Sequence, residues 1–206
     1  MAARIALLRG INVGGNRKIK MPDLAAAFVA AGAEQVTTYI QSGNVVFHHR
    51  ARSEAKLGAD LERQLAETFG FDVPVLLRTA AEWAAVIEQN PYPGTEPTKL
   101  HVAFLAEPPA ADAVAKVGPD AFPPEQYTVV GRDVYLSLPG GMGTSKLAPA
   151  LGRTLLRSPA TARNWRTVET LMDLVLGAGL GRVGRSPGDR PRAFAATSGG
   201  RDLMSP

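Results

Sequence analysis

Residues 36–49 read VTTYIQSGNVVFHH, and this stretch decides the fold. The runs 36–41 and 45–49 are rich in β-branched and aromatic side chains, which favour strands. Between them, Ser42, Gly43 and Asn44 are small or turn-forming residues that suit a three-residue hairpin loop. The stretch therefore predicts two antiparallel strands joined by a tight turn.

The segments on either side of this hairpin complete a βαββαβ order. Before it, the apolar run 5–9 predicts a strand, and a helix over about 22–31 follows, with Pro22 in its first turn and Gly32 after its end. After it, Ser53 can cap a second helix and an alternating strand follows. The residues that carry these two patterns are Leu57, Leu61, Leu65 and Phe69 in the helix, and Val73, Val75 and Leu77 in the strand. This order is that of the ferredoxin-like split βαβ unit.

The second half of the chain repeats most of the pattern. Thr79 and Glu82 have capping-box spacing, so residues 80–89 should form a helix that leads to a linker at 90–97. The elements predicted beyond it are a strand at 99–106, a helix at 110–117, a hairpin of 127–130 with 134–138, and a helix at 145–156. A last helix follows directly, with no obvious fourth strand. Its apolar stripe consists of Val168, Leu171, Met172, Val175 and Leu176.

We therefore predict an α+β protein with two pseudo-repeated ferredoxin-like lobes, a C-terminal helix and a disordered tail. The predicted bounds are 1–78 for the first lobe, 79–98 for the connecting helix and linker, 99–176 for the second lobe with its closing helices, and 177–206 for the tail. Seven glycines, three prolines and no sustained apolar period in the tail predict disorder, because such a segment buries too little apolar surface to order itself.

Composition predicts a cytoplasmic protein that does not enter a membrane. The chain has no cysteine, which excludes disulfides and thiolate chemistry and favours a reducing compartment. No apolar run approaches the roughly 20 residues that a membrane-spanning helix needs. The formal net charge of +4 comes mostly from the tail, where five arginines outnumber two aspartates. Nucleic-acid binding is therefore judged from local cationic clusters.

Three blocks of the sequence resemble the bacterial domain of unknown function 1697 family. They are LLRGINVGG at 7–15, TYIQSGNVVF at 38–47 and ARNWRTV at 162–168. The resemblance extends over about residues 3–176 and implies two similar α+β lobes. It implies no established activity, substrate or catalytic residue. The family commonly has two threonines before its Arg-Asn-Trp, whereas this chain has Thr161 and Ala162, which weakens any role for a hydroxyl at position 162.

The glycine-rich loop of residues 9–20, called the first loop below, is the first candidate site. Its backbone N–H groups and the positive end of the following helix can cradle an anion. The candidate residues are Arg9, Asn12, Gly14, Gly15, Lys18 and Lys20. The spacing matches neither GxGxxG nor a P-loop, which excludes those nucleotide sites. The alternative is a tight strand-to-helix turn whose lysines are merely solvated.

A second glycine-rich loop at 139–146, called the second loop below, also joins a strand to a helix. Its candidate anion-binding residues are Gly141, Gly143, Ser145 and Lys146. A plain helix N-cap with a flexible turn is the alternative.

Two polar segments add further candidates. Arg163, Asn164 and Arg166 could grip a phosphate, or Asn164 could cap a turn while the arginines pair with acids of the other lobe. The hairpin tip adds Gln41, Ser42 and Asn44, for which turn chemistry is the alternative to ligand contact.

Signs of catalysis or metal binding are sparse. The three histidines, His48, His49 and His101, lack zinc-ligand spacing, and no GxSxG elbow occurs. Ser145 and Lys146 could in principle act as a nucleophile and its base. They are adjacent, however, and adjacent residues of a helix do not face each other. We predict no metal and no cofactor, and the sequence leaves enzymatic activity and oligomeric state open.

The leading functional hypothesis is a binding module for a phosphate-bearing small molecule or a nucleic-acid backbone. It requires the first and second loops to meet in one electropositive cleft. The alternatives are a metal-independent enzyme acting on a phosphorylated substrate and a protein-protein interaction module.

Overall fold

The computed structural model describes residues 1–15, 17–118, 120–154 and 159–179. These residues form two four-stranded antiparallel sheets and six α-helices. The predicted disordered tail begins at 177, but residues 177–179 belong to the last helix, so this boundary is wrong. The rest of the predicted tail lies outside the described part of the chain.

The first sheet and its two helices come from the first half of the chain. In chain order the elements are β1 (Ala2–Leu8), α1 (Met21–Ala30), β2 (Glu34–Tyr39), β3 (Asn44–His49), α2 (Glu54–Phe69) and β4 (Val75–Thr79). The strand order is β2-β3-β1-β4, and all neighbouring strands are antiparallel. The predicted cap of α2 is confirmed, since the Ser53 hydroxyl accepts a hydrogen bond from Lys56 N, and the helix ends at Gly70, which has a left-handed φ of 78°.

The second sheet follows in the same order of elements. They are α3 (Ala80–Glu88), β5 (Leu100–Leu105), α4 (Ala111–Ala115), β6 (Gln126–Val130), β7 (Asp133–Ser137), α5 (Leu147–Thr154), β8 (Ala160–Asn164) and α6 (Trp165–Gly179). The strand order is β6-β7-β5-β8, again antiparallel throughout. The predicted capping box at the start of α3 is confirmed, with both Thr79 and Glu82 making their reciprocal bonds.

The structure corrects the sequence prediction at two places in this half. A fourth strand, β8, stands where the sequence predicts one helix directly followed by another. Its residues are small or polar, so the alternation of large apolar side chains that marks a strand is missing. In addition, α5 begins at Leu147 rather than at 145, because a 3-10 turn at Met142–Thr144 precedes it.

Helices cover both faces of each sheet. In β1, Ala6 and Leu8 point into a core with α1 and α2, whereas Ile5 and Leu7 point into a core that contains α3 and α6. The second sheet likewise packs on α3 and α6 with one face and on α4 and α5 with the other. Because successive side chains of a strand alternate between faces, each sheet contributes to two cores.

The central layer, formed by α3 and α6, joins the two halves. Trp83 of α3 is fully buried, stacks on Phe104 of β5 with ring centroids 4.8 Å apart, and donates from Nε1 to Val168 O of α6 at 3.0 Å. Val168, Leu171 and Val175 of the predicted stripe are buried and Met172 is half-buried, whereas Leu176 is 55% exposed. Leu176 lies about 80° around the helix from Val168, at the margin of the apolar stripe.

No helix in the described ranges combines the length and the apolar character that a membrane crossing requires.

Gly43, at the hairpin tip, is a glycine that the fold requires. Its φ is 78°, and a Cβ at this position would lie 2.8 Å from Leu8 Cβ and 2.7 Å from Ile11 Cδ1. Gly70 has the same φ, but a Cβ added there would meet nothing within 4 Å. Substitution of Gly70 therefore measures the cost of the left-handed backbone without a steric clash.

We expect Gly43→Ala to lower the free energy of unfolding by about 3 kcal/mol and Gly70→Ala by about 1 kcal/mol. The difference is the steric cost of the close approach to Leu8. Urea denaturation of the two variants measures it. Equal losses of unfolding free energy in the two variants would show that the close approach of residue 43 to Leu8 adds no steric cost.

Candidate functional site

Asn12 organises the first loop. Its side-chain amide donates to Ile19 O and Gln41 O at 3.0 and 2.8 Å, and its Oδ1 accepts from Ile19 N at 2.9 Å. The backbone of Asn12 is left-handed, with a φ of 55°, and its N–H donates to Arg17 O. The Asn12 amide is thus used to close the loop and to fasten it to the hairpin tip, rather than to face a ligand.

The N-terminus of α1 lies immediately after this loop. The N-cap residue is Lys20, which makes no side-chain capping bond, and Pro22 occupies the first turn. The first N–H groups of a helix have no partner within the helix and carry the positive end of its dipole. The start of α1 therefore presents unsatisfied donors and partial positive charge.

A cavity of about 590 Å³, called the α1 cavity below, lies at this helix start. It is lined by Asn12, Gly15, Lys18, Ile19, Lys20, Met21, Pro22 and Gln41. Lys18 and Lys20 are exposed, and the lining contains no carboxylate. Asp23 is the acidic residue of the first turn, but it is not part of the lining. The α1 cavity therefore combines two ammonium groups with a helix N-terminus.

The other described cations of the first loop, Arg9 and Arg17, are not in the lining of this cavity. Arg9 is exposed, and the Gly14 backbone is left-handed. Arg17 lies over the ring of Phe71, with Cζ 5.8 Å from the ring centroid, which is the geometry of a cation-π contact.

The second loop also joins a strand to a helix, but a carboxylate lies at the start of its helix. Glu125 accepts hydrogen bonds with Oε2 from Leu147 N at 2.8 Å and from the Ser145 hydroxyl at 3.1 Å, and Ser145 Oγ accepts from Ala148 N. A carboxylate of the chain itself therefore occupies the start of α5, where an external anion would bind. Lys146 and Thr144 line a separate cavity of about 340 Å³ together with Glu125.

The first and second loops line different cavities that share no residue. Within the described residues no hydrogen bond or ion pair joins the two loops. Gly141 and Gly143 of the second loop take part in neither cavity. The cleft that the leading hypothesis requires is thus replaced by two sites, and one of them is filled by Glu125.

Arg163 is buried between the two halves of the molecule. Its Nε donates to Asn44 Oδ1, and Nη2 donates to Leu8 O and Ser42 O, both at 3.0 Å. Nη1 donates within β8, to Thr161 Oγ1 and Ala162 O. All five N–H groups have acceptors, but none is a carboxylate, and burial lowers the pKa of Arg163 to about 10. Arg163 therefore binds the first sheet and not a ligand.

Two polar residues next to Arg163 also use their side chains for hydrogen bonds within the protein. Asn44 is fully buried and donates to Tyr39 O and Ser42 Oγ. Asn164 caps α6, with Oδ1 accepting from Thr167 N at 2.9 Å. Arg166 is exposed on α6. The predicted cap at Asn164 is confirmed, whereas Arg163 binds an amide and carbonyl groups of the other half where the alternative expects acids.

Arg78 occupies the same place in the first half as Arg163 in the second. Each arginine precedes the N-cap of a central helix and bonds to the last residue of the opposite sheet's first strand. Arg78 Nη2 donates to Leu105 O at 2.8 Å and to Asp133 Oδ1 at 2.9 Å. Asp133 and Asn44 both begin the third strand of their sheet. The two halves thus hold each other through a pseudo-twofold pair of buried arginines.

The two arginines differ in charge compensation. Burial lowers the pKa of Arg78, and the ion pair with Asp133 opposes this shift. Burial also raises the pKa of Asp133, opposed by Arg78. Next to them Arg132 pairs with Glu82, the acid of the α3 capping box. Within the described part of the chain Arg163 pairs with no such acid, and Asn44 stands at the corresponding position. The sequence analysis did not select any of these four residues, Arg78, Asp133, Arg132 and Glu82, as a candidate. The sequence signal for Arg78 was an arginine inside the apolar run of β4.

No group of three or more histidine, aspartate or glutamate side chains that could hold a metal ion occurs in the described ranges. The Ser145 hydroxyl bonds to Glu125 and to the start of α5. This arrangement is that of a helix cap rather than of an activated nucleophile.

Comparisons with known proteins identify the family and the fold. A family model described as "Protein of unknown function (DUF1697)" matches residues 1–135. The conserved bacterial protein SP0830 from Streptococcus pneumoniae has a similar solved structure, with a TM-score of 0.66 and 25% sequence identity, over 84% of this chain and 98% of that chain. A search of curated proteins gave no match. The family match ends before the block at 162–168, whereas the structural likeness covers more of the chain.

Proposed function

Since the chain belongs to the DUF1697 family of proteins of unknown function, we propose its function from the site itself: it is a binding module for a phosphate-bearing ligand, which it holds in the α1 cavity. The observation that carries this proposal is the start of α1, which has no side-chain cap and opens onto a cavity whose described lining contains Lys18 and Lys20 and no carboxylate. Such a helix start stabilises negative charge, and flanking ammonium groups add to the attraction.

The contrast between the two loops supports the first loop as the site. At the second loop Glu125 already satisfies the start of α5 with a negative charge. At the first loop, among the residues that the structure describes, no side chain takes the corresponding role, and Lys20 at the N-cap makes no capping bond. The proposal therefore places one anion site in the chain rather than two.

The size of the α1 cavity favours a phosphate attached to a small organic body. About 590 Å³ lies within the range of small-molecule sites and exceeds the volume of a single inorganic ion. Asn12 and Gln41 line the cavity beside the lysines, and the Asn12 bonds to Ile19 and Gln41 hold the loop in one shape. A preformed loop reduces the entropy that ordering costs on binding.

Binding of inorganic phosphate and of glycerol phosphate, measured by calorimetry, tests the proposal. We expect Lys18→Ala and Lys20→Ala each to weaken binding about fivefold, because each removes one charge from the α1 cavity. Lys116→Ala is the matched control, since Lys116 is an exposed lysine at the end of α4 in the other half, and it should change nothing. Absence of binding, or equal losses in the three variants, would contradict the proposal.

A single-stranded oligonucleotide in the same titration distinguishes a nucleic-acid backbone from a small phosphorylated ligand. Backbone binding requires an affinity that falls steeply and linearly on a log-log plot against salt. Incubation of the phosphorylated compounds with the chain, followed by detection of released phosphate, tests the enzyme alternative. Product formation lost in Lys18→Ala would replace the binding module by an enzyme.

The strand orders also support a finer assignment of the fold. We propose that both halves are ferredoxin-like, because in each the first and third strands are central neighbours, the second and fourth lie at the edges, and all pairs are antiparallel, as in a split βαβ unit. A bacterial, cytoplasmic origin remains the prediction of the cysteine-free sequence and its family resemblance.

A further inference from the structure

The strand β6 lies at an edge of the second sheet, with β7 on one side and no strand of the sheet on the other. We call this other side the β6 edge. The strand reads QYTVV, without a charged residue or a proline. Its pairing with β7 runs without a bulge from Gln126 opposite Ser137 to Val130 opposite Asp133. A regular, uncharged edge strand is a template on which another strand can pair.

The hydrogen-bond pattern of the sheet shows which backbone groups face the β6 edge. Leu105 N donates to Arg132 O at 2.9 Å, so the even-numbered residues along β7 bond to β5. Bonding alternates along an antiparallel strand, and the odd-numbered residues of β7 therefore bond to the even-numbered residues of β6. The N–H and C=O groups of Tyr127 and Val129 consequently point outward. In the described part of the chain no other group bonds to them.

Two other edge strands carry features that hinder the addition of a strand. At the edge strand β4, Glu62 accepts from Val75 N and Glu82 accepts from Thr79 N, so carboxylates occupy donors of the backbone. The edge strand β2 contains a register shift that includes Gln35, whose φ is 51°. Bulges and charged side chains are the usual ways in which natural sheets protect their edges. The β6 edge has neither feature.

The β6 edge is complementary to itself. When two copies pair antiparallel about Thr128, Tyr127 of each copy lies opposite Val129 of the other, and Gln126 lies opposite Val130. The outward groups of Tyr127 and Val129 are then in the positions where opposite residues exchange both of their hydrogen bonds. Thr128 lies opposite its own counterpart. Aromatic residues opposite β-branched residues, and threonine opposite threonine, are favourable cross-strand pairs, and no like charges meet.

We propose that two copies of this chain associate through their β6 edges, antiparallel about Thr128, and join their second sheets into one continuous sheet. The contact uses the same surface of both copies, so it closes at a dimer. Because only two short strands meet, the interface is smaller than that of a tight complex, and we expect a Kd of about 10–100 μM. The inference is independent of the proposed phosphate site, since β6 contributes no residue to the α1 cavity.

Hydrogen exchange of the full natural chain, measured by NMR at 20 μM and at 1 mM, tests the proposal without any substitution. We expect the amides of Tyr127 and Val129 to exchange about fourfold more slowly at the higher concentration, because the second copy then bonds to them. The amide of Thr128 bonds to β7 in the single chain and should be protected at both concentrations. Sedimentation velocity over the same range should show the mass rising from one copy towards two.

A pair of opposite charges at position 128 tests the register. Thr128→Lys and Thr128→Glu each place like charges opposite each other, so each alone should raise the Kd at least about tenfold, whereas their equimolar mixture should form a dimer. Thr37→Lys is the matched control, since Thr37 is an exposed threonine of the edge strand β2, and it should dimerise like the natural chain. Both changes at 128 remove the 2.9 Å bond to the Tyr92 hydroxyl, so circular dichroism verifies folding.

Four results would overturn the proposal. A single copy at 1 mM would show that the β6 edge does not pair with itself. Association without slower exchange at Tyr127 and Val129 would place the contact elsewhere on the molecule. A mixture of folded Thr128→Lys and Thr128→Glu that stays monomeric would exclude the register about Thr128. Dissociation by Thr37→Lys, with no effect of the changes at 128, would assign the contact to β2.

Discussion

Replacing Arg163 with alanine is expected to lower the free energy of unfolding by about 4 kcal/mol. The guanidinium group joins the end of β1 and the hairpin tip to β8, through Leu8 O, Ser42 O and Asn44 Oδ1. Without it these acceptors, of which Leu8 O and Asn44 Oδ1 are buried, lose a donor, and a cavity opens between the halves. Arg163→Lys should lose about half as much, because one ammonium group cannot reach all three acceptors.

Urea denaturation measures both losses, and Arg166→Ala is the control. Arg166 is an exposed arginine three residues away on α6, and its removal should change the free energy by less than about 0.5 kcal/mol. A loss below about 1 kcal/mol for Arg163→Ala would mean that the bonds of Arg163 do not contribute to holding the two halves together.

Trp83→Ala is expected to cost about 4 kcal/mol of unfolding free energy. The indole fills the central layer, stacks on Phe104 of the second sheet and donates to Val168 O of α6. Its removal therefore weakens contacts of α3 with both the other sheet and the other central helix. Trp83→Phe keeps part of the stacking but loses the hydrogen bond, and we expect a loss of about 2 kcal/mol.

Thermal unfolding followed by calorimetry and tryptophan-independent circular dichroism measures this series. Glu88→Ala, at an exposed position near the end of the same helix, should be close to neutral. Two separate unfolding transitions in Trp83→Ala would show that the halves fold independently once the central layer is weakened. A single transition at the wild-type temperature would contradict the account of the central layer.

The elements with local signals were predictable from the sequence. The hairpin, the Ser53 cap and the Thr79–Glu82 capping box each depend on residues a few positions apart, and the structure has all of them. The predicted three-residue loop at Ser42 to Asn44 is wrong in its bounds, because Asn44 pairs with Tyr39 in the sheet and residues 40–43 form the connection. The strand β8 lacks such a signal because Ala160, Thr161 and Ala162 are small or polar. Its inward side chain is Arg163, whose burial depends on acceptors more than a hundred residues away.

The candidate site was predictable only in part. The first loop, with Lys18 and Lys20 beside the start of α1, follows from glycines and lysines that are close in sequence. The capping role of Glu125 at the second loop could not be predicted. Glu125 lies 22 residues before Leu147, and a cap at that separation has no characteristic sequence spacing. The sequence also does not reveal that internal hydrogen bonds occupy the side chains of Asn12, Asn44 and Arg163. Their partners lie in other segments, which only the fold brings close. The shared pattern of an arginine followed by a helix-capping residue, in Arg78–Thr79 and Arg163–Asn164, was a sequence signal for both β8 and the pseudo-twofold.

An NMR titration of the full chain with inorganic phosphate tests the binding function most directly. The account predicts saturable shifts of the backbone amides of Gly14, Gly15, Met21 and Asp23, around the α1 cavity. It also predicts that the Leu147 amide, which Glu125 already occupies, does not respond. Shifts at Leu147 without shifts at Met21 and Asp23, or no shifts at any of these amides, would contradict the anion site at the first loop.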